Sequence, residues 1–266
     1  DKVRVYRHLS GDSIEAIVED ARRWVEQGFS VLRFAPLKSV DAASLSAWDP
    51  QAAIVATIKL AAALRDAFGD DIELICDAHT MFSPAETVTL GRGLEPYRLL
   101  FYEDPIRPLN PHSLRMVREK VHLPLATGEQ FAHKWEFQTA IEEELIDYLR
   151  IDIVHAGGIT EAKKILAAAE MHGQRSALHH ASSPINGVAC LHVDMAVPNF
   201  GIQEWTEFDA FNDLVSNAPR AKDGYVVAPT GPGLGLEFDE NVARQRTTRD
   251  AELPHRYWPD GSVGDY

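Results

Sequence analysis

Apolar and polar positions along this chain fall into two periods that take turns. Short runs rich in β-branched and aromatic residues, at 3–9, 29–35, 72–78, 99–104, 123–129, 147–154, 176–180 and 200–205, have the character of strands. Between most of them lie stretches with helical spacing and strong helix formers. Residues 13–27 carry an N-cap serine, Ser13, and stop at Gly28; residues 51–68 are rich in Ala and Leu and stop at Gly69. Residues 160–172 are capped by Thr160 and stopped by Gly173. Eight strands alternating with helices predict a parallel α/β architecture. An open doubly wound sheet would carry a glycine-rich phosphate turn after an early strand, whereas here Gly157-Gly158 follows the sixth run without a GxGxxG. A closed (β/α)8 TIM barrel over residues 1–216 is the better expectation, and a length of 266 residues suits it. Residues 217–266 break the alternation, are rich in Pro, Gly and Asp, and read as an extended tail.

Composition narrows the partners. There are 40 acidic residues against 26 basic ones, a net charge of −14, which argues against a nucleic acid because a polyanion needs a basic face. An apolar share of 45% supports a sizeable core. Cys76 and Cys190 are too few for a disulfide framework or a thiolate zinc cluster, and fit buried small residues in a reducing, cytoplasmic setting. No apolar run approaches the roughly 20 residues of a membrane helix, so no membrane partner is expected. The opening Asp1-Lys2-Val3-Arg4 is not a signal peptide, and a start without Met at the first strand reads as a piece of a longer chain.

In a barrel of this kind the chemistry gathers at the C-terminal strand ends. Those ends carry Asp77, Glu103, Glu129, Asp152, His179 and Glu204, separated by 26, 26, 23, 27 and 25 residues, one βα unit each time. A solvated face does not space its charges so. Asp77, Glu103 and Glu129 end neighbouring strands, where three converging carboxylates would repel one another and raise each other's pKa unless a cation joined them. Oxygen ligands with no cysteine nearby favour Mg²⁺, or Mn²⁺ in its place. A single acid after a strand is ordinarily a helix cap or a surface residue; three in register outweigh that reading.

Of the eleven histidines, His112, His122, His172, His192 and His255 read as surface or helix residues. His79 lies two residues after Asp77, so a strand continuing upward puts both on one side. His179 ends the seventh strand beside Asp152, and a carboxylate that holds an imidazole in one tautomer makes a general base. His180 points the other way and reads as packing, while His133 and His155 are left open.

At this point the residues resemble a known family: the barrel domain of the enolase superfamily, in its mandelate racemase-like branch, closest to galactonate and mannonate dehydratases. The matching pieces are Asp77-Ala-His79, Phe101-Tyr-Glu-Asp-Pro105, Pro124-Leu-Ala-Thr-Gly-Glu129, Arg150-Ile-Asp152, His155-Ala-Gly-Gly-Ile-Thr160 and Pro198-Asn-Phe-Gly-Ile-Gln-Glu204. The resemblance implies Asp77, Glu103 and Glu129 as Mg²⁺ ligands. It further implies His179 with Asp152 as the base that removes the proton α to the carboxylate, His79 as the acid that releases the β-hydroxyl, and Glu204 as the partner of the substrate carboxylate. Arg33 and Trp205 are taken as substrate contacts, Arg33 with the alternative that it only closes its strand end. The implied substrate is a small sugar acid and the implied assembly a homo-oligomer.

Departures from the family pattern sharpen the expectation. The Lys-x-Lys of its racemases and cycloisomerases is replaced by Arg33-Phe-Ala35, so the usual lysine base is missing. Asp152 tilts the chain toward the galactonate type, since mannonate dehydratases, as the family is known, lack the strand-six aspartate. The N-terminal capping domain of the family is not expected in a chain that opens at the first barrel strand, and the tail 217–266 is what in relatives packs with it. An acid-sugar racemase or epimerase, or a metal-binding barrel without catalysis, are the rival readings. The loop 37–49 carries no motif that names the sugar.

Overall fold

A computed structural model describes residues 2–37, 48–107, 110–246, 256–258 and 260–264. Most of the loop 37–49 and His255 therefore lie outside the described residues. The chain runs β1 (Val3–His8), α1 (Ile14–Glu26), β2 (Val31–Phe34), α2 (Pro50–Phe68), β3 (Glu73–Asp77), α3 (Pro84–Leu94), β4 (Phe101–Glu103), α4 (Pro111–Lys120), β5 (Leu125–Thr127) and α5 (Lys134–Glu142). It continues with β6 (Tyr148–Leu149), α6 (Ile153–Ala156), α7 (Ile159–Glu170), β7 (Arg175–Ser176), α8 (Pro184–Asp194), β8 (Gln203–Glu204), β9 (Tyr225–Val226) and α9 (Glu240–Gln245), and ends in the hairpin β10 (Arg256–Tyr257) and β11 (Val263–Gly264).

Strands β1 to β7 pair in parallel with their neighbours in chain order, and β8 pairs in parallel with β1. Phe200 bridges Ser176 of β7, with Ser176 donating to the Asn199 carbonyl at 2.9 Å, so the ring closes as a barrel. Strand alternation sends every second side chain inward. Tyr6, Val31, Ile75, Phe101, Ala126, Ala177 and Ile202 form that buried inner plug, while Leu32, Leu74, Tyr102, Leu125 and Leu149 face the helices in the larger outer core. The inner plug fills the lower barrel, so the polar residues one step further along each strand are lifted into its mouth.

Local chemistry explains where the elements start. Ser13 accepts the Ala16 N–H at 3.1 Å and caps α1, and Asp49 caps α2 ahead of a proline at its first turn. Two expectations are corrected. The sixth run does not stay extended to residue 154: the Asp152 carboxylate accepts the N–H groups of Val154 and His155 at 2.7 and 3.2 Å and turns the chain into α6. Thr160 does not cap the next helix, because Gly158, at φ 91°, holds the cap position and α7 begins at Ile159.

Within residues 217–266, Tyr225–Val226 adds an antiparallel strand to the start of β1, and Val5 donates to the Gly224 carbonyl at 3.0 Å. Gly224 is required there: its φ is 75°, and a Cβ would sit 2.9 Å from the Gly28 carbonyl oxygen. Among the described residues no helix is long and apolar enough to cross a membrane.

Helix α8 turns Asn186, Cys190 and Asp194 inward, four residues apart. Ser176 Oγ donates to Asp194 Oδ1 at 3.4 Å, while Oδ2 accepts nothing, and burial pushes this carboxyl well above the usual range. A negative charge at a helix C-terminus is disfavoured in any case. Asp194 thus binds its proton more tightly in the folded than in the unfolded chain, so its contribution to stability falls as pH rises above the ordinary carboxylate range. Asp194→Asn, which removes the titration, is expected to raise the Tm by at least about 2 °C at pH 7, with the gain vanishing toward pH 4. Calorimetry across that range checks it; a lower Tm, or a gain indifferent to pH, contradicts it.

Candidate active site

The inward positions above the plug are His8 on β1, Arg33 on β2, Asp77 on β3 and Glu103 on β4, and the strand register sets Asp77 opposite Glu103 and His8 opposite Arg33. At the end of β5, Gly128 takes φ 132° where a Cβ would meet the Phe137 ring at 2.5 Å. That turn brings Glu129 into the mouth, 3.5 Å from Arg150 Nη2. Asp152 and His179 pair as an isolated parallel bridge. Glu204 ends β8.

Arg150 lies at the centre and is fully buried. Its Nε is 2.7 Å from Glu103 Oε1, and its Nη2 is 2.6 Å from Glu204 Oε2. Nη1 donates to the carbonyls of Ala177 and Leu178 at 2.9 and 3.3 Å. Burial alone would lower its pKa, but Glu103 and Glu204 outweigh burial and hold it well above the usual range. Glu204 responds in kind. Burial pushes it up, yet Arg150 and the His8 hydrogen bond pull it well below the usual carboxylate range. Its oxygens receive Arg150, His8 Nε2 at 2.7 Å and the His180 N–H at 2.8 Å. Both oxygens of Glu204 are thus engaged by the barrel's own groups.

The His–Asp pair is formed. Asp152 Oδ2 is 2.7 Å from His179 Nδ1, which places the ring proton on Nδ1 and leaves Nε2 facing the mouth, 3.6 Å from Glu129 Oε2. Burial lowers the His179 pKa, but the Asp152 hydrogen bond and the charges of Glu204 and Glu129 raise it overall. His79 arrives by a different route from the expected one. The strand ends at Asp77, and His79 and Thr80 take left-handed backbone at φ 48° and 54°. Its Nε2 lies 3.8 Å from Glu129 Oε1, so the two histidines flank that carboxylate.

Trp205 lies apart from this group. Alternation along β8 turns it away from Glu204 into the packed layer, where its ring sits 4.9 Å from that of His180. His180 is buried there as packing, its Nε2 3.1 Å from the Ser183 carbonyl oxygen. His155 meets the Glu129 carbonyl oxygen at 3.1 Å on the exposed rim, and His133 sits at the start of α5 near Glu136. Three residues of the site escaped the sequence reading: His8, Asp104 and Arg150. His8 ends β1, so the strand-end rule extended to the first strand finds it, and Arg150 shares a face with Asp152 two positions on. Asp104 has no such signal, since alternation would send it outward; its backbone at φ 37° bends it back.

The donor set suits a hard cation. One oxygen each from Asp77, Glu103 and Asp104 lie within 4.8 Å of one another, all three residues buried. Asp77 Oδ1 accepts the His79 N–H at 2.7 Å and Asp104 Oδ1 accepts the Thr127 Oγ1 hydroxyl at 2.6 Å, while Glu103 Oε1 is ion-paired with Arg150 Nε at 2.7 Å without a hydrogen bond. The second oxygens, Asp77 Oδ2, Glu103 Oε2 and Asp104 Oδ2, are buried without a hydrogen bond. Burial raises the pKa of Glu103, and burial with the charges of Glu129 and Glu103 raises that of Asp104 well above its usual value. Such a set of oxygens is what Mg²⁺ neutralises. Glu129 stands outside this tight group, on the mouth side between the histidines.

Known proteins resemble this chain over most of its length. The profile of the family described as enolase C-terminal domain-like matches residues 16–242. A D-mannonate dehydratase of Caulobacter sp. (strain K31) is 36% identical over 98% of this chain and 70% of its own length. A D-galactonate dehydratase family member of Pseudarthrobacter chlorophenolicus is 32% identical over 99% of this chain and 72% of its own. Among solved structures, an enolase from Pantoea ananatis with bound D-gluconate and Mg superposes with a TM-score of 0.92 at 31% identity, over 99% of this chain and 71% of that one.

The electrostatic role of Arg150 is directly measurable. Arg150→Leu leaves Glu103 and Glu204 buried without their cation, and is expected to cost about 3–5 kcal/mol in urea unfolding. Arg115→Leu, which removes an exposed pair with Glu143, should leave the midpoint unchanged. Equal effects of the two substitutions would refute the assignment.

Proposed function

The chain belongs to the enolase C-terminal domain-like family, and on that premise we propose that it is a magnesium-dependent dehydratase, a hydro-lyase, acting on a sugar acid. The observation that carries the reading is the His179–Asp152 pair, closed at 2.7 Å, facing the half-tied carboxylate cluster across Glu129. Asp77, Glu103 and Glu129 are the ligands we assign, with Asp104 offering a further oxygen. Bound there, Mg²⁺ supplies Lewis acidity toward the substrate carboxylate and offsets the charge that develops on it.

The residues of the chain do the proton work. His179, oriented by Asp152, takes the proton from C2 on Nε2. The C3–O bond breaks as His79 delivers a proton to the leaving hydroxyl, which departs as water. The enol that remains ketonises to a 2-keto-3-deoxy acid. Glu204 is the partner we assign to the substrate carboxylate, and it also holds His8 and Arg150 in place. Arg33 stands at the mouth as the contact for an anionic or hydroxyl group of the substrate.

The galactonate type is our finer assignment, resting on the Asp152–His179 pair. D-mannonate dehydratases also stand among the relatives, so both sugar acids belong in the test. We take residues 1–216 as the catalytic unit of a cytoplasmic homo-oligomer and 217–266 as a tail available to pack against a capping domain. One geometric feature favours the epimerase alternative: two histidines flank Glu129 at 3.6 and 3.8 Å, as opposed bases would.

A panel of aldonic and aldaric acids with Mg²⁺, read by formation of 2-keto-3-deoxy products, tests the proposal. His179→Asn is expected to lose about 10²–10⁴-fold in rate together with C2–H exchange in deuterated water. His79→Asn is expected to lose elimination by a similar factor while keeping that exchange. Deuterium incorporation without loss of water in the unmodified protein would transfer the assignment to an epimerase.

A further inference from the structure

The one free oxygen of Asp77 is already met by a cation of the protein. Asp77 Oδ1 accepts the His79 N–H, and Oδ2 is in contact with Arg33 Nη2. Arg33 Nε also lies 4.0 Å from Glu103 Oε2, the oxygen of Glu103 that Arg150 does not hold. Arg33 therefore reaches two carboxylate oxygens of the cluster, Asp77 Oδ2 and Glu103 Oε2, that accept no hydrogen bond. The register explains its reach: Arg33 pairs with Ile75, two residues below Asp77, so its side chain climbs alongside that carboxylate.

Arg33 and Arg150 differ in how they are held. Arg150 is fully buried, and its contacts run to three carboxylates and two carbonyls. Arg33 keeps part of its side chain, 17%, in solvent, and its ion pairs run to Asp77 and Glu103. One guanidinium is a fixed part of the barrel; the other is placed to leave.

We propose that Arg33 is an exchangeable counter-ion of the metal site: it holds Asp77 and Glu103 until Mg²⁺ arrives, and must withdraw from Asp77 Oδ2 for the ion to bind. Two cations on one oxygen in a partly desolvated mouth repel strongly. Arg33 thus sets the metal affinity, and the same movement frees its guanidinium for a substrate anion. This rests on the reading of the cluster as a Mg²⁺ site.

Titration calorimetry of Mg²⁺ into the EDTA-stripped intact protein supplies the first readout. Arg33→Met is expected to bind Mg²⁺ about tenfold tighter than the unmodified protein, whereas Arg115→Met stays within about twofold. Crystal structures grown in EDTA and in MgCl₂ supply the second. Arg33 should rest on Asp77 Oδ2 in the first and stand clear of it in the second. Unchanged or weaker affinity in Arg33→Met overturns the proposal. So does an Arg33 still seated on Asp77 with Mg²⁺ bound, and in that case the metal site itself survives. Loss of Mg²⁺ binding from both the unmodified protein and Arg33→Met removes the metal reading and this proposal together.

Discussion

The mouth of this barrel depends on one buried cation. Arg150 is sealed from solvent and reaches Glu103, Glu129 and Glu204 at once. Without it, acids on three different strands would face one another where water cannot screen them. With it, the Glu204 carboxyl is held well below the usual carboxylate range and Glu103 is ion-paired on one side, so both are oriented by the barrel itself. Its guanidinium plane also grips the carbonyls of Ala177 and Leu178, tying the charge cluster to the end of β7.

Around that anchor the polar groups are satisfied by halves. Asp77 and Asp104 each have one oxygen held by a hydrogen bond and one without, and Glu103 is held through its ion pair with Arg150. A carboxylate held on one side is fixed in direction, and the remaining lone pairs converge. The His179–Asp152 pair follows the same logic, since the carboxylate takes one ring nitrogen and so aims the other. Asp152 serves twice: Oδ2 orients the imidazole, and Oδ1 caps α6, which stops the strand where the base is needed. Stability and chemistry are thereby coupled, because the groups that orient the site also end the elements that carry it.

The electrostatics divide the cluster into fixed and exchangeable parts. Arg150 is fully buried among three carboxylates and two carbonyls, while Arg33 touches the mouth from β2 and keeps some solvent contact. A site with a surplus of carboxylates needs cations of both kinds. One kind holds the shape, and the other gives way to whatever the site is built to receive.

Much of this was legible in the chain. The barrel follows from eight apolar runs separated by helical stretches, because strand and helix periods are local properties of side-chain direction. The acids and histidines at the strand ends are legible for the same reason: a βα unit of nearly constant length returns the chain to one rim every 23 to 27 residues. What the sequence left undecided depends on contacts between strands. Arg150 reads as one charge in an apolar run until the closed barrel surrounds it with Glu103, Glu129 and Glu204. Asp104 reads as outward-facing until its backbone turns, and Trp205 reads as part of the rim until the pleat of β8 sends it behind. Periodicity tells which residues reach the rim; only barrel closure decides which of them share a charge, because the strength of an ion pair depends on distance and on the exclusion of water, and neither is a property of one strand alone.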